Sequence, residues 1–219
     1  MKHLIKRIVP GLLAAVLLAG TVPAHAAEDG TQFRDVSANA YYADAVEWAV
    51  TEGVTKGTSG STFSPGSTVT RAQAVTFLWR AAGQPEPSAS APTFTDAANQ
   101  SAYYYKAVRW AAEEGITNGV TATTFQPDGT LHYDQILAFL CRAAGGNATG
   151  SGWSQKAQTW AAANGITDGL TYAAKGNCPR SDAVYFLWQQ SEGGTERTEE
   201  EQERTEEEQT KEEQQAQEQ

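Results

Sequence analysis

The sequence contains one pattern three times, and such internal repetition limits the folds that are open to it. We place the repeats at residues 33–83, 94–145 and 153–193, of which the third is shorter and degenerate. Residues 84–92 and 146–152 between them have linker composition. The recurring landmarks are Trp48, Gly53, Gly57, Phe63 and Pro65, then Trp110, Gly115, Gly119, Phe125 and Pro127 at 62 positions further, and then Trp160, Gly165 and Gly169.

Each repeat has the periodicity of two helices joined by a loop. In the first repeat, Tyr42, Ala45, Val46 and Ala49 have the spacing of one apolar helical face. Thr70-Arg-Ala-Gln73 has the form of a capping box, which begins the second helix. A unit of this size has a marginal core when it stands alone. The sequence therefore predicts an all-α protein, in which three helix-loop-helix repeats share one core.

The two ends of the chain have compositions unlike the repeats. Residues 1–26 have a basic start, an apolar stretch and the sequence Ala24-His25-Ala26, which is the layout of a cleaved secretory signal peptide. We therefore expect a secreted protein with no transmembrane segment after signal cleavage. Residues 195–219 form a Glu/Gln-rich segment whose seven-residue period has no apolar position, and we predict a disordered tail there.

The acidity of the chain excludes some partners. The formal net charge is −10, and residues 195–219, with 11 Glu against 3 basic residues, carry −8 of it. The repeats are thus only mildly acidic. A nucleic-acid binder would need a basic footprint, so we expect no nucleic-acid partner.

The sequence offers no constellation for catalysis or metal binding. His132 is the one histidine that would remain after signal cleavage, and the carboxylates Glu113 and Glu114 are adjacent on a helix and point in different directions. We predict no enzymatic activity, no cofactor and no metal. Cys141 and Cys178 are either two small buried residues, which we favour because Cys141 lies on an apolar helical stripe, or a disulfide.

The motifs of the repeats, taken in order, resemble the S-layer homology domain. They are Phe33-Arg-Asp35, then Trp-Ala-x-x-x-Gly-Val/Ile-x-x-Gly, then Phe-x-Pro, then Thr70-Arg-Ala-Gln73. The resemblance implies a pseudo-threefold trimer of helical hairpins with inter-repeat grooves. In that family the grooves hold secondary cell-wall polysaccharide, often through a pyruvylated sugar. It also implies a location in the bacterial cell wall or S-layer, with surface-layer proteins as further candidate partners.

The resemblance connects the grooves with the Asp of the Phe-x-Asp motif and the Arg of the Thr-Arg-Ala-Gln motif. The first repeat has both, as Asp35 and Arg71; the second has Asp96, with Tyr133 in place of the arginine; the third has Arg180 and lacks the aspartate. If each groove takes its Arg from one repeat and its Asp from the next, Arg71 pairs with Asp96 and Arg180 with Asp35. Two grooves are then competent and one is lost.

Other interpretations of these residues stay open. The arginines and aspartates could form surface ion pairs or caps, the glycines could supply positive φ or close backbone approach, and Trp48, Trp110 and Trp160 suit the core better than a sugar platform. An alternative function is a structural or adaptor protein that assembles with other envelope proteins. The candidate polysaccharide-binding residues are Arg71, Asp96, Arg180, Asp35, Gly57, Gly119 and Gly169.

Overall fold

A computed structural model describes residues 32–191, so the predicted signal peptide and the predicted disordered tail lie outside the described residues. The regular elements of the described residues are helices, which confirms the predicted all-α class. One 3-10 turn, Thr95–Ala97, precedes the third helix. The helices are α1 (Ala43–Thr51), α2 (Arg71–Ala81), α3 (Tyr105–Glu113), α4 (Tyr133–Ala143), α5 (Trp153–Ala163) and α6 (Arg180–Gln189).

The second helix of the first repeat begins where its sequence predicts. At the start of α2, the N–H of Gln73 donates to the Thr70 hydroxyl at 3.2 Å. The N–H of Thr70 donates in return to the Gln73 side-chain oxygen at 3.2 Å. Gln135 accepts from the N–H of His132 in the same way before α4, at 2.9 Å. The capping box of the first repeat is thus confirmed, and the second repeat retains the glutamine half of it.

The close helix pairs join different repeats. Helix α2 packs against α3, α4 packs against α5, and α6 returns to pack against α1. Backbone hydrogen bonds follow the same order, because the first residue of each second helix donates its N–H to the loop of the following repeat. These bonds run from Arg71 to Gly129 O (2.8 Å), from Tyr133 to Gly176 O (3.1 Å) and from Arg180 to Ser67 O (2.9 Å). The contacts close a ring of three segments.

The shared core is aromatic and aliphatic, and it includes both cysteines. Cys141 and Cys178 are free, buried thiols, so the disulfide alternative is wrong. Of the three repeated tryptophans, Trp110 is buried in the core, while Trp48 and Trp160 are partly buried and pack against it. Among residues 32–191, no helix has the length and apolarity needed to cross a bilayer.

Candidate functional site

The Phe-x-Asp carboxylates hold the loops that carry the Phe-x-Pro motif. Asp35 accepts from the N–H groups of Phe63 and Ser64, both at 2.8 Å. Asp96 accepts from the N–H groups of Phe125 and Gln126, again both at 2.8 Å. Ser64 and Gln126 have positive φ, an uncommon conformation for residues other than glycine. Each aspartate therefore stabilises a strained loop through both of its oxygens.

Each arginine of the predicted site contacts the loop that the paired aspartate holds. The Nε of Arg71 donates to the carbonyl of Phe125 at 2.7 Å, and its guanidinium lies 4.8 Å from the Phe125 ring centroid. The Nε of Arg180 donates to the carbonyl of Phe63 at 3.0 Å, with 4.9 Å from guanidinium to ring centroid. The placement is the one expected if Arg71 pairs with Asp96 and Arg180 with Asp35.

Both guanidinium groups are cations in a buried setting. Burial lowers the pKa of Arg71 to about 10, against the attraction of Asp96, which raises it. Burial likewise lowers the pKa of Arg180, and Tyr103 and Asp35 oppose the shift. At neutral pH both side chains remain protonated. Charge in such a setting interacts more strongly with an anion than charge on the open surface.

The two arginines line two cavities that occupy equivalent places in the ring. We call them the first groove, of about 360 Å³, and the second groove, of about 380 Å³. Both combine a glycine loop, the face of a second helix, and one aromatic side chain from the following repeat. The first groove includes Lys56, Gly57, Phe77, Arg80, Tyr103 and Arg180, and the second includes Asn118, Gly119, Phe139, Arg142, Trp153 and Arg71.

Sequence reasoning found part of this lining. It found Arg71, Arg180, Gly57 and Gly119, whereas Asp35 and Asp96 act on the loops behind the grooves. It missed a second arginine in each groove, although Arg80 and Arg142 also recur 62 positions apart. It also missed the aromatic wall residue of each groove. This residue comes from the following repeat, and its type differs between the two grooves. It is Tyr103 in the first groove and Trp153 in the second.

The third equivalent place in the ring contains a hydrogen-bonded group of side chains. Tyr133, which stands where the arginine is expected, donates its hydroxyl to Asp182 at 2.5 Å. Tyr41 donates to the other oxygen of Asp182, also at 2.5 Å. Tyr133 further stacks on Tyr172, with ring centroids 5.0 Å apart. Burial and the neighbouring Asp182 raise the pKa of both donor tyrosines, so both stay neutral donors.

The candidate glycines have backbone conformations with positive φ. The N–H groups of Gly57 and Gly119 donate to the hydroxyl oxygens of Thr55 and Thr117, both at 3.1 Å. A Cβ at either glycine would collide with a phenylalanine ring and with at least one backbone oxygen, so both are sites of close approach. Gly169 shares their positive φ, but a Cβ there would meet open space. A direct role of these glycines in binding stays a prediction.

Acid is expected to weaken the fold partly through Asp35. Burial raises the pKa of this carboxyl, but the N–H donors of Phe63 and Ser64 and the charge of Arg34 together outweigh it, so its pKa lies below the ordinary 3.8. Because the folded-state pKa is the lower one, the stabilisation is complete above the unfolded value and is lost as pH falls through the folded value. Asp35→Asn should therefore reduce the fall of the urea unfolding midpoint between about pH 5 and pH 2.

Glu47→Gln is the control for that experiment, because it neutralises an exposed carboxylate on α1. It should leave the acid-induced fall as large as in the unchanged protein. An Asp35→Asn protein whose midpoint fell as steeply as that of the unchanged protein would contradict the loop-holding role of Asp35.

Parts of the chain are similar to known proteins. The family model of the S-layer homology domain matches residues 32–75 and 93–135. The chain is 29% identical over 138 residues to S-layer protein sap of Bacillus anthracis, covering 63% of this chain and 16% of that protein. It is 32% identical over 148 residues to a cell surface protein of Thermoanaerobacter kivui, covering 66% of this chain and 19% of that protein. It is 34% identical over 111 residues to an endoglucanase of Bacillus sp. (strain KSM-635), covering 51% and 11%.

Residues 32–75 and 93–135 of the chain are thus similar to S-layer homology repeats. Together with surface-layer and cell-surface proteins among the relatives, they indicate a secreted protein of the bacterial cell surface. The chain spans less than a fifth of the length of each of these relatives. Most of the length of each relative therefore lies beyond the match.

Proposed function

We propose that this protein attaches non-covalently to the bacterial cell surface by binding secondary cell-wall polysaccharide in the first and second grooves. The observation that carries the proposal is a buried arginine in the same place of both grooves, Arg180 in one and Arg71 in the other. One nitrogen of Arg180, Nη2, is buried without a hydrogen-bond partner in the structure. A buried donor of this kind is costly unless a ligand satisfies it.

The chemistry of both grooves suits an acidic sugar. A guanidinium presents a planar fork of donors that matches a carboxylate, such as the one a pyruvylated sugar carries. Aromatic side chains in the walls suit the apolar face of a sugar ring, and Tyr103 in the first groove is 56% exposed. The overall acidity of the chain does not oppose such a ligand, because the residues that line the two grooves supply cations and no carboxylates.

We further propose that residues 153–193 are a third S-layer homology repeat, and that the third place in the ring does not bind the polysaccharide. The segment supplies two helices, α5 and α6, in the places that complete the ring. Its share of the ring is held by the Tyr133, Asp182 and Tyr41 hydrogen bonds described above. Two grooves then remain on one rigid body, and two sites for one polymer give avidity that a single weak site lacks.

The proposal assigns attachment and no catalysis to this chain. The endoglucanase among the relatives shares only 11% of its length with it. Glu113, one of two adjacent glutamates at the end of α3, accepts the N–H of Ser88 at 2.9 Å and so holds a linker. Among residues 32–191, no cluster of side chains suits a metal ion.

Binding to purified cell walls tests the proposal. The protein is expected to sediment with walls that retain their non-peptidoglycan polysaccharide and to stay in solution once that polymer has been removed chemically. The purified polymer, added in solution, should release bound protein. Binding that is unaffected by removal of the polymer would refute polysaccharide attachment and favour an adaptor that assembles with other envelope components.

A further inference from the structure

The two grooves occupy equivalent places but differ in the side chains that reach their open surface. Positions that correspond in the repeats hold a charged or hydroxyl-bearing residue in the first groove and an uncharged or apolar residue in the second. The paired positions are Lys56 and Asn118, Thr58 and Val120, and the wall residues Tyr103 and Trp153.

The first groove has more positive charge available for a ligand. It is lined by Arg180, Arg80 and Lys56, whereas the second groove is lined by Arg71 and Arg142. Arg142 is committed to the backbone: its Nε and Nη2 donate to the Ala148 carbonyl at 3.0 and 2.6 Å, and its Nη1 donates to the Ile116 carbonyl at 3.0 Å.

The corresponding arginine of the first groove makes a lighter contact with the backbone. Arg80 donates Nη1 to the Val54 carbonyl at 3.1 Å, and Lys56 is exposed at the groove loop. The buried, unpartnered Nη2 of Arg180 lies in the same groove. Several cations that converge on one cavity favour a ligand with more than one negative charge.

The second groove presents a fixed apolar wall in place of that charge. Val120 is 49% exposed at the loop, and Trp153 forms the facing wall. The Lys175 ammonium lies 5.0 Å from the Trp153 ring centroid and is bound to the buried Asp134. Asp134 also accepts from Ser154, the neighbour of Trp153, at 2.6 Å. The indole is therefore held in place by a hydrogen-bonded and ion-paired support.

We infer that the two grooves select different sugar residues, an inference that rests on the proposed attachment to polysaccharide. The first groove binds a sugar with two anionic groups, of which one contacts Arg180 and the other contacts Lys56 and Arg80. The second groove binds a sugar with one carboxylate, which contacts Arg71, and with an acetamido methyl group, which packs against Val120 and Trp153. A polymer that carries both residues then meets the protein in one orientation.

The test is nuclear magnetic resonance on the ¹⁵N-labelled secreted protein, with the amides of Gly57 and Gly119 as reporters of the two grooves. The probe with two anionic groups, a carboxylate and a phosphate, is glucuronic acid 1-phosphate. The probe with one carboxylate is N-acetylmuramic acid. Glucuronic acid 1-phosphate should shift the Gly57 amide at lower concentration than the Gly119 amide. N-acetylmuramic acid should shift the two amides in the opposite order.

A reciprocal exchange of two exposed residues provides the matched variants. Lys56→Asn should weaken the binding of glucuronic acid 1-phosphate reported by Gly57 by about 1.5- to 5-fold, the size expected of one exposed charge pair. Asn118→Lys should strengthen its binding reported by Gly119 by a similar factor. Each change should leave the other groove unaffected.

The outcomes separate the inference from the function on which it rests. Equal responses of both amides to both probes, no response to either probe, or exchange variants without groove-specific effects would overturn the difference in selectivity. None of these results would touch the attachment itself, as long as the protein sediments with intact walls. A protein that binds walls equally well after the polymer is removed would refute the attachment.

Discussion

The double variant Arg71→Lys/Arg180→Lys is expected to lose detectable binding to wall polysaccharide, while each single variant keeps one working groove. Lysine keeps the charge but lacks the planar fork of donors, and it loses the Nε bond that orients each arginine. A hydrogen bond to a charged group contributes about 1.5 to 3 kcal/mol, so each groove should weaken by roughly 10- to 150-fold. Loss of two-site binding should lower the avidity by a further factor of about 10² to 10⁴.

The same position in the second repeat supplies the matched control. Tyr133 stands where Arg71 and Arg180 stand in their repeats, and it donates a hydrogen bond to Asp182 at the third place of the ring. Tyr133→Phe removes one partly buried hydrogen bond, which costs about 1 kcal/mol of stability, and should leave wall binding unchanged.

Binding of all four variants is measured by sedimentation with purified walls at a temperature where circular dichroism shows them folded. A folded double lysine variant that binds walls as tightly as the unchanged protein would contradict the role of the two arginines. Weaker binding by folded Tyr133→Phe would show that the third place in the ring also takes part.

The local features of the fold could be predicted because they depend on neighbouring residues. The Thr70 and Gln73 capping box and the apolar helical stripes are written within a few positions of one another, and both have the predicted form in the structure. The pairing of Arg71 with the Asp96 loop was also accessible. It follows from which repeat has lost which residue, and the structure places Arg71 on the loop that Asp96 holds.

The contents of the grooves depended on contacts that no local pattern encodes. Tyr41 meets Asp182 across 141 positions of sequence, and α6 packs against α1 from the opposite end of the folded part. The aromatic wall residue of each groove is also outside any local pattern, because it comes from the following repeat. The aspartates of the Phe-x-Asp motif show a further limit, because residue type alone does not separate a carboxylate that holds a loop from one that faces a ligand.

Substitution of Gly119, the glycine of the second groove, is expected to lower the stability of the fold, an effect separate from ligand binding. A Cβ at Gly119 would lie 2.5 Å from the carbonyl oxygens of Thr121 and Thr124 and 2.6 Å from Cε1 of Phe94. The φ of +78° adds a steric cost for any L-residue with a Cβ. Gly119→Ala should therefore destabilise the protein by about 1 to 2 kcal/mol for the φ angle and about 1 to 3 kcal/mol more for the collision.

Gly169→Ala separates these two costs. Gly169 has a φ of +74°, and a Cβ built there has no atom within 4 Å, so the variant should lose only the φ contribution, about 1 to 2 kcal/mol. Urea unfolding of both variants measures the difference, and equal losses would contradict the close approach at Gly119. Because Phe94 and the loop oxygens must move to admit the methyl group, Gly119→Ala should also weaken sugar binding in the second groove. The recurrence of glycine in the groove loops is then a requirement of the backbone that shapes the groove, and the ligand depends on it through that shape.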